Sequence, residues 1–406
     1  MRPDSFGDRL MLVLSRRAPA YRWRVSPTGF WATVGATLSR TDGALPKRTS
    51  ARPRRASLLP LESPVSHSRS WGWAIAIAAA ALTVVSIIPA TFTSQYAAEP
   101  SPVGLPVNAS TIVYSVAFSP DGHTLASAGL DGAVRLWDVT DPTHPAPFEQ
   151  ALTGHTDSVH AVAFSPDGRL LATASADGTV RLWKPATGQV AAVLDGRTGG
   201  LYAVAFSPDG RLLAAASVDG RVWLWDVTDP TRPAPFEQAL TGHTGPVFAV
   251  AFSPDGHTLA SAGLDGAVRL WDVTDPIHPA PFEQALTGHT DSVHAVAFGP
   301  DGRLLATASA DGTVRLWKPA IGQVAAILDG HTGGLYAVAF SPDGGLVASG
   351  ASNGTVLVWS VTTGYLVGTL AGRAGPVRTV AFSPNGRLLA EALSDNTIRL
   401  WNLSCC

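Results

Sequence analysis

From residue 109 onward the chain repeats one pattern of apolar and polar positions every 42 to 46 residues. Seven copies are anchored on the run Val-Ala-Phe, the first at Val116-Ala117-Phe118 and the last at Val380-Ala381-Phe382. The turn after it reads Ser-Pro-Asp-Gly, as at Ser119 to Gly122. There proline presets φ for a type I turn and glycine supplies the left-handed residue of a bulged hairpin. The next run, such as Leu170 to Ser175, ends in Asp177-Gly178, a second hairpin turn. In the third run, Thr179 to Trp183, apolar and polar residues alternate as a half-buried strand requires. A fourth, more variable strand leads to the next copy. The pattern predicts an all-β array, because a period of this length marks units that bury their faces against one another.

Gly-His near the start of a copy, Ser-x-Asp-Gly-Thr-Val and Leu-Trp-Asp together resemble the WD-repeat β-propellers, over about three quarters of the chain. The resemblance implies seven four-stranded blades, with repeats at about 109–153, 154–195, 196–241, 242–287, 288–329, 330–371 and 372–404. It also implies a closed ring without free sheet edges. The last copy stops soon after Trp401, so the linker 93–108, chiefly Val103 to Val107, is placed to supply the missing outer strand. In this family a histidine, a strand Ser or Thr, a turn Asp and a Trp form a hydrogen-bonded set inside the blade. The resemblance implies complete sets at His155, Ser175, Asp177, Trp183 and at His289, Ser309, Asp311, Trp317. Elsewhere the set is eroded: Arg197 and Arg373 replace the histidine, Gly129 and Gly263 the serine, and the sixth blade has Ala351 and Asn353. The first blade has Asn108-Ala109 in place of Gly-His. The implied role is structural, since each buried polar group left unpaired costs about 1–3 kcal/mol.

A longer period lies within the first. Residues 116–210 match 250–344 with five differences: Thr143/Ile277, Ser165/Gly299, Thr187/Ile321, Val193/Ile327 and Arg197/His331. This reads as a recent duplication of three blades, with two nearly equivalent surfaces or with no specialised site at all.

Upstream of the repeats the character changes. Over all 406 residues the net charge is −2, but residues 1–70 hold 13 Lys and Arg against 4 Asp and Glu, whereas 100–406 hold 16 against 26. Between them, Trp71 to Phe92 is a run of 22 residues without a charge. As a helix it reaches about 33 Å, enough for a hydrocarbon core of about 30 Å. It lies deeper in the chain than a signal peptide and is longer than the usual apolar core of one, so a retained transmembrane helix is expected, with cleavage as the alternative. Arg52, Arg54, Arg55 and Arg69 precede it, and no Lys or Arg occurs between Phe92 and Arg135. By the positive-inside rule the basic segment 1–70, expected to be disordered, is cytoplasmic and the propeller is extracytoplasmic.

The chemistry that remains is sparse. The match Gly350-Ala351-Ser352-Asn353-Gly354 to G-x-S-x-G falls between two strands, whereas a nucleophile elbow needs a strand-to-helix turn. No phosphate-binding loop, metal-ligand spacing or basic stripe is present, so no cofactor, metal or nucleic acid is expected. Cys405 and Cys406 are the only cysteines and read as an exposed, oxidisable pair. With 26 Arg to 3 Lys and abundant Ala and Gly, the chain has the composition of a GC-rich, bacterial genome.

One position of the first strand varies while its neighbours do not: Tyr114, His160, Tyr202, Phe248, His294, Tyr336 and Arg378. By period-two alternation these side chains share an orientation. The resemblance places them near the channel mouth, as a partner-docking patch or as packing between blades. The expectation is a monomeric, non-enzymatic, membrane-tethered propeller that serves as a protein–protein interaction scaffold. The alternative is a regulatory module of a bacterial signalling ATPase or kinase, split from its catalytic domain.

Overall fold

Each Val-Ala-Phe run forms the first strand of an antiparallel sheet in the computed structural model, which describes residues 100–196, 199–371 and 375–404. The basic segment 1–70, the apolar span 71–92, Arg197, Arg373, Cys405 and Cys406 lie outside the described residues. No helix among the described residues is long and apolar enough to cross a membrane.

In blade one the inner strand Val113–Phe118 pairs with Thr124–Gly129, that strand with Val134–Asp138, and the last with the two-residue outer strand Ala146–Pro147. The order repeats in sequence through the later blades, whose inner strands begin at Val159, Leu201, Val247, Val293, Leu335 and Val377. The inner strands touch in cyclic order, and the seventh, Val377–Phe382, packs against the first. The array is therefore a seven-bladed propeller closed on itself.

Closure uses the two ends of the described chain. The outer strand of blade seven is Ser101–Asn108, antiparallel to the last strand Thr397–Asn402. Pro102 faces Trp401 and Val107 faces Ile398, with a break in register between Val103 and Val107. In that break Gly104 has φ +67° and comes so close to the Thr143 backbone of blade one that no Cβ fits. The clasp thus touches blades seven and one together.

The core is divided among the blade junctions, with one apolar cluster at each. The tryptophan of every third strand enters the cluster shared with the preceding blade, as Trp183 packs against Leu136 and Val134 of blade one. Trp183, Trp225 and Trp317 are almost fully buried. At the far end of the inner strands the Ser-Pro-Asp-Gly turns interlock. A Cβ placed on Gly168 would lie 3.4 Å from Pro120 of the preceding blade, and the approach recurs until Pro384 meets Gly122.

The alternation of the inner strand is broken at one place. Val113 pairs with Gly129 and Ser115 with Ala128, leaving Tyr114 as the extra residue of a β-bulge. All inner strands carry the same shift at the same residue. The bulge explains why Val113 and Val116, three apart, are both buried. It also corrects the sequence argument, since plain alternation does not orient position 114.

Candidate functional site

The polar sets inside the blades differ from those expected by one pair of residues. His155 Nδ1 meets Asp177 at 2.8 Å, but its Nε2 meets the Thr173 hydroxyl at 2.7 Å, and Trp183 Nε1 donates to that hydroxyl at 2.9 Å. Ser175 instead donates to the carbonyls of Asp157 and Ser158 and accepts from the backbone of Asp177, closing the turn. Blade five repeats this with His289, Asp311, Thr307 and Trp317, while Ser309 donates to the Asp291 carbonyl. Residues 173 and 175 share a face of the strand, so parity does not choose between them. Spacing does: the bridging hydroxyl lies 10 residues before the Trp and 18 after the His.

That spacing finds sets the first reading missed. His243, Ser261, Asp265 and Trp271 form a complete set in blade four, so Gly263 does not replace the bridging hydroxyl. In blade one Ser127 accepts from Trp137, and Gly129 likewise stands at the position of Ser175. In blade six Ser349 joins His331 and Trp359, while Asn353 turns to Thr332. The Asp177 carboxylate can only accept, so the neutral His155 ring carries its proton on Nδ1 and donates it there, and its Nε2 accepts from the Thr173 hydroxyl. Burial holds His155 below its usual range. Asp177 lies down at about 2: burial opposes this, but hydrogen bonds from Thr179, His155 and the Thr156 backbone prevail. The histidine of each set is thus committed to structure, and among the described residues no group of acidic, His or Cys side chains is placed to hold a metal.

Blade seven departs from the rule. Glu391 stands where five of the other blades have the bridging Ser or Thr and blade three has Ala215, directly across from Arg399, and is fully buried. Among the described residues neither of its carboxylate oxygens has a hydrogen-bond partner, nor has Trp401 Nε1. Burial pushes the Glu391 carboxyl up to about 7, and the nearby Trp401 and Arg399 offset only part of this.

The bulged positions come together in a different way. Tyr114, His160, Tyr202, Phe248, His294 and Tyr336 follow one another around the ring, with neighbouring ring centroids 5.1–5.4 Å apart. Arg378 closes the circle, its guanidinium 4.9 Å from the Tyr336 ring centre and 6.0 Å from that of Tyr114. Tilted and edge-on contacts at this spacing are favourable for aromatic pairs. Phe248 is buried and the other six are half-buried, so the collar packs against itself and still presents surface. Burial pushes the Tyr202 hydroxyl up. Burial, helped by Arg378, holds His294 down at about 4, so it is neutral at physiological pH. Ser352 of the G-x-S-x-G match sits on the turn between Leu346–Ala351 and Thr355–Ser360, away from any helix.

The repeats match the family described as WD domain, G-beta repeat, at residues 105–138, 147–184, 188–226, 235–272, 281–318, 322–360 and 364–402. The chain belongs to the WD40 family. No curated protein matches it. Each WD40 repeat begins in or just before an outer strand and runs through the three strands of the next blade, so it straddles two blades. The first repeat, from residue 105, starts inside the clasp of blade seven. WD40 propellers typically bind protein partners, and the collar is a continuous circle of hot-spot residue types.

Proposed function

We propose that this WD40 propeller is a non-enzymatic scaffold that docks protein partners over the collar, tethered to a membrane by residues 71–92 with the propeller outside the cytoplasm. The observation that carries the docking reading is the uninterrupted circle from Tyr114 to Arg378. Aromatic residues and arginine dominate binding hot spots, because they offer large rigid contact area at low entropy cost. His155, His243 and His289, with Asp177, Asp265 and Asp311, are engaged in hydrogen-bonded sets inside the blades. The tethering reading rests on the uncharged span and on the arginines before it.

Partners captured by the full-length protein are expected to be lost when Tyr202, Phe248 and Tyr336 are changed together to Ala, with the melting temperature as the control for folding. Capture that survives the triple change removes the docking reading. Protease added to intact cells is expected to degrade the propeller. Full protection until the cells are lysed removes the extracytoplasmic placement.

A further inference from the structure

The collar contains one residue that is not a ring. Arg378 occupies the bulged position of blade seven, and its Nε donates to the Ser394 hydroxyl at 2.9 Å. Tyr336 covers the guanidinium at 4.9 Å and Tyr114 approaches it at 6.0 Å. A guanidinium has five N–H donors, and here only Nε has an acceptor among the described residues. The two terminal amino groups make no hydrogen bond or ion pair with those residues. The rings desolvate the cation, which strengthens its attraction for an anion, and the Ser394 contact fixes the plane of the fork. His294, beyond Tyr336 in the collar and neutral, adds no competing charge. Asp395, next to Ser394, is engaged with the Thr397 backbone and hydroxyl, and Asp291, whose charge acts on His294, accepts from the Ser292 backbone.

We infer that Arg378 is the specificity element of the collar and that it recognises a carboxylate side chain in an acidic peptide segment of the partner, whose flanking apolar residues lie on the aromatic rings. The inference rests on the docking reading above and adds the chemical class of the partner. The propeller region is acidic overall, with 16 Lys and Arg against 26 Asp and Glu over 100–406, but that charge acts at a distance screened to about 8 Å in physiological salt. A bidentate contact is decided within hydrogen-bond range, where the unpaired fork prevails.

The test uses the full-length protein and a displayed library of short random-sequence peptides. Peptides selected by the native protein are expected to carry Asp or Glu beside apolar residues. Synthetic copies are expected to bind Arg378→Gln roughly tenfold to a hundredfold more weakly. Changing the acidic residue of the peptide to its amide is expected to cause a similar loss, and the two changes together no further loss. Arg378→Lys keeps the charge without the fork and should keep the acidic preference at reduced affinity, which supplies the test if the Gln variant fails to fold. Peptides that lack acidic residues, yet are lost on changing Tyr202 and Phe248 to Ala, overturn the carboxylate assignment and leave the docking reading standing. Peptides that bind regardless of both sets of changes overturn the two together.

Discussion

A neutral histidine between an aspartate and a hydroxyl, with a tryptophan donating to that hydroxyl, leaves no polar atom of the set unpaired. Replacing Thr173 by Val preserves the shape but strands His155 Nε2 and Trp183 Nε1 in the core. Each stranded group costs about 1–3 kcal/mol, which lowers the urea midpoint correspondingly. A midpoint unchanged in Thr173→Val contradicts this assignment. Glu391 poses the opposite case, a buried acid where a hydroxyl belongs. Its folded pKa, about 7, lies above the ordinary carboxylate value, so the protonated form is the one the fold favours. The stability tied to this proton is fully present below the unfolded pKa and is lost as pH rises through about 7. Arg399 and Asp395 are the charged groups facing it from its own blade; Arg373, at the histidine position of the sequence, lies outside the described residues. Glu391→Thr is expected to raise the urea midpoint at pH 8 and to flatten its fall between pH 5 and 8, an effect of up to about 3 kcal/mol. A native midpoint independent of pH over that range contradicts it.

The inner strand shows how far element-level reading reaches. Its three constant residues, the turn that follows and its place in each copy are legible in the sequence, because apolar spacing and turn chemistry are local. The bulge at Tyr114 is not, because it is defined by which residues pair across strands, and a count along one strand does not contain pairing. The variable column from Tyr114 to Arg378 was visible as a column, but only the ring geometry shows that its members touch one another. Ser175 and Thr173 lie on the same face of their strand, and only the distance to His155 and Trp183 singles out Thr173 as the bridging hydroxyl. The clasp Ser101–Asn108 is a poor strand by composition, with Pro102, Gly104 and Pro106 interrupting its ladder. Its value lies in what it covers: Val103 and Val107 pack with Ile398 and Leu400 in the cluster between blades seven and one. Deleting residues 101–108 is expected to lower the melting temperature sharply, read by circular dichroism. An unchanged value contradicts the clasp as the element that holds the ring shut.

At the scale of the molecule, the duplicated block gives an internal control. Blades two and five carry the same polar set in the same surroundings and share no blade junction. Thr307→Val is therefore expected to cost what Thr173→Val costs, and the double variant the sum of the two, since distant sites are additive. A double variant that loses markedly less or more than the sum shows that the blades do not respond independently. The halves are not identical, since Phe248 stands in the collar where the first half has Tyr114 and blade six has the bridging Ser349 where blade three has Ala215; blade seven then adds Arg378 in the collar and Glu391 in the core. Blade seven is also where the two ends of the propeller meet, and this sets an order in time. Residue 101 leaves the ribosome about 300 residues before its partner near residue 402. At about 5–20 residues per second the wait lasts tens of seconds. Blades one to six have their strands in hand as they emerge, whereas the clasp stays unpaired until the strand Thr397–Asn402 has emerged. During that interval its open edge is the natural target for a chaperone, or for the clasp of a neighbouring nascent chain.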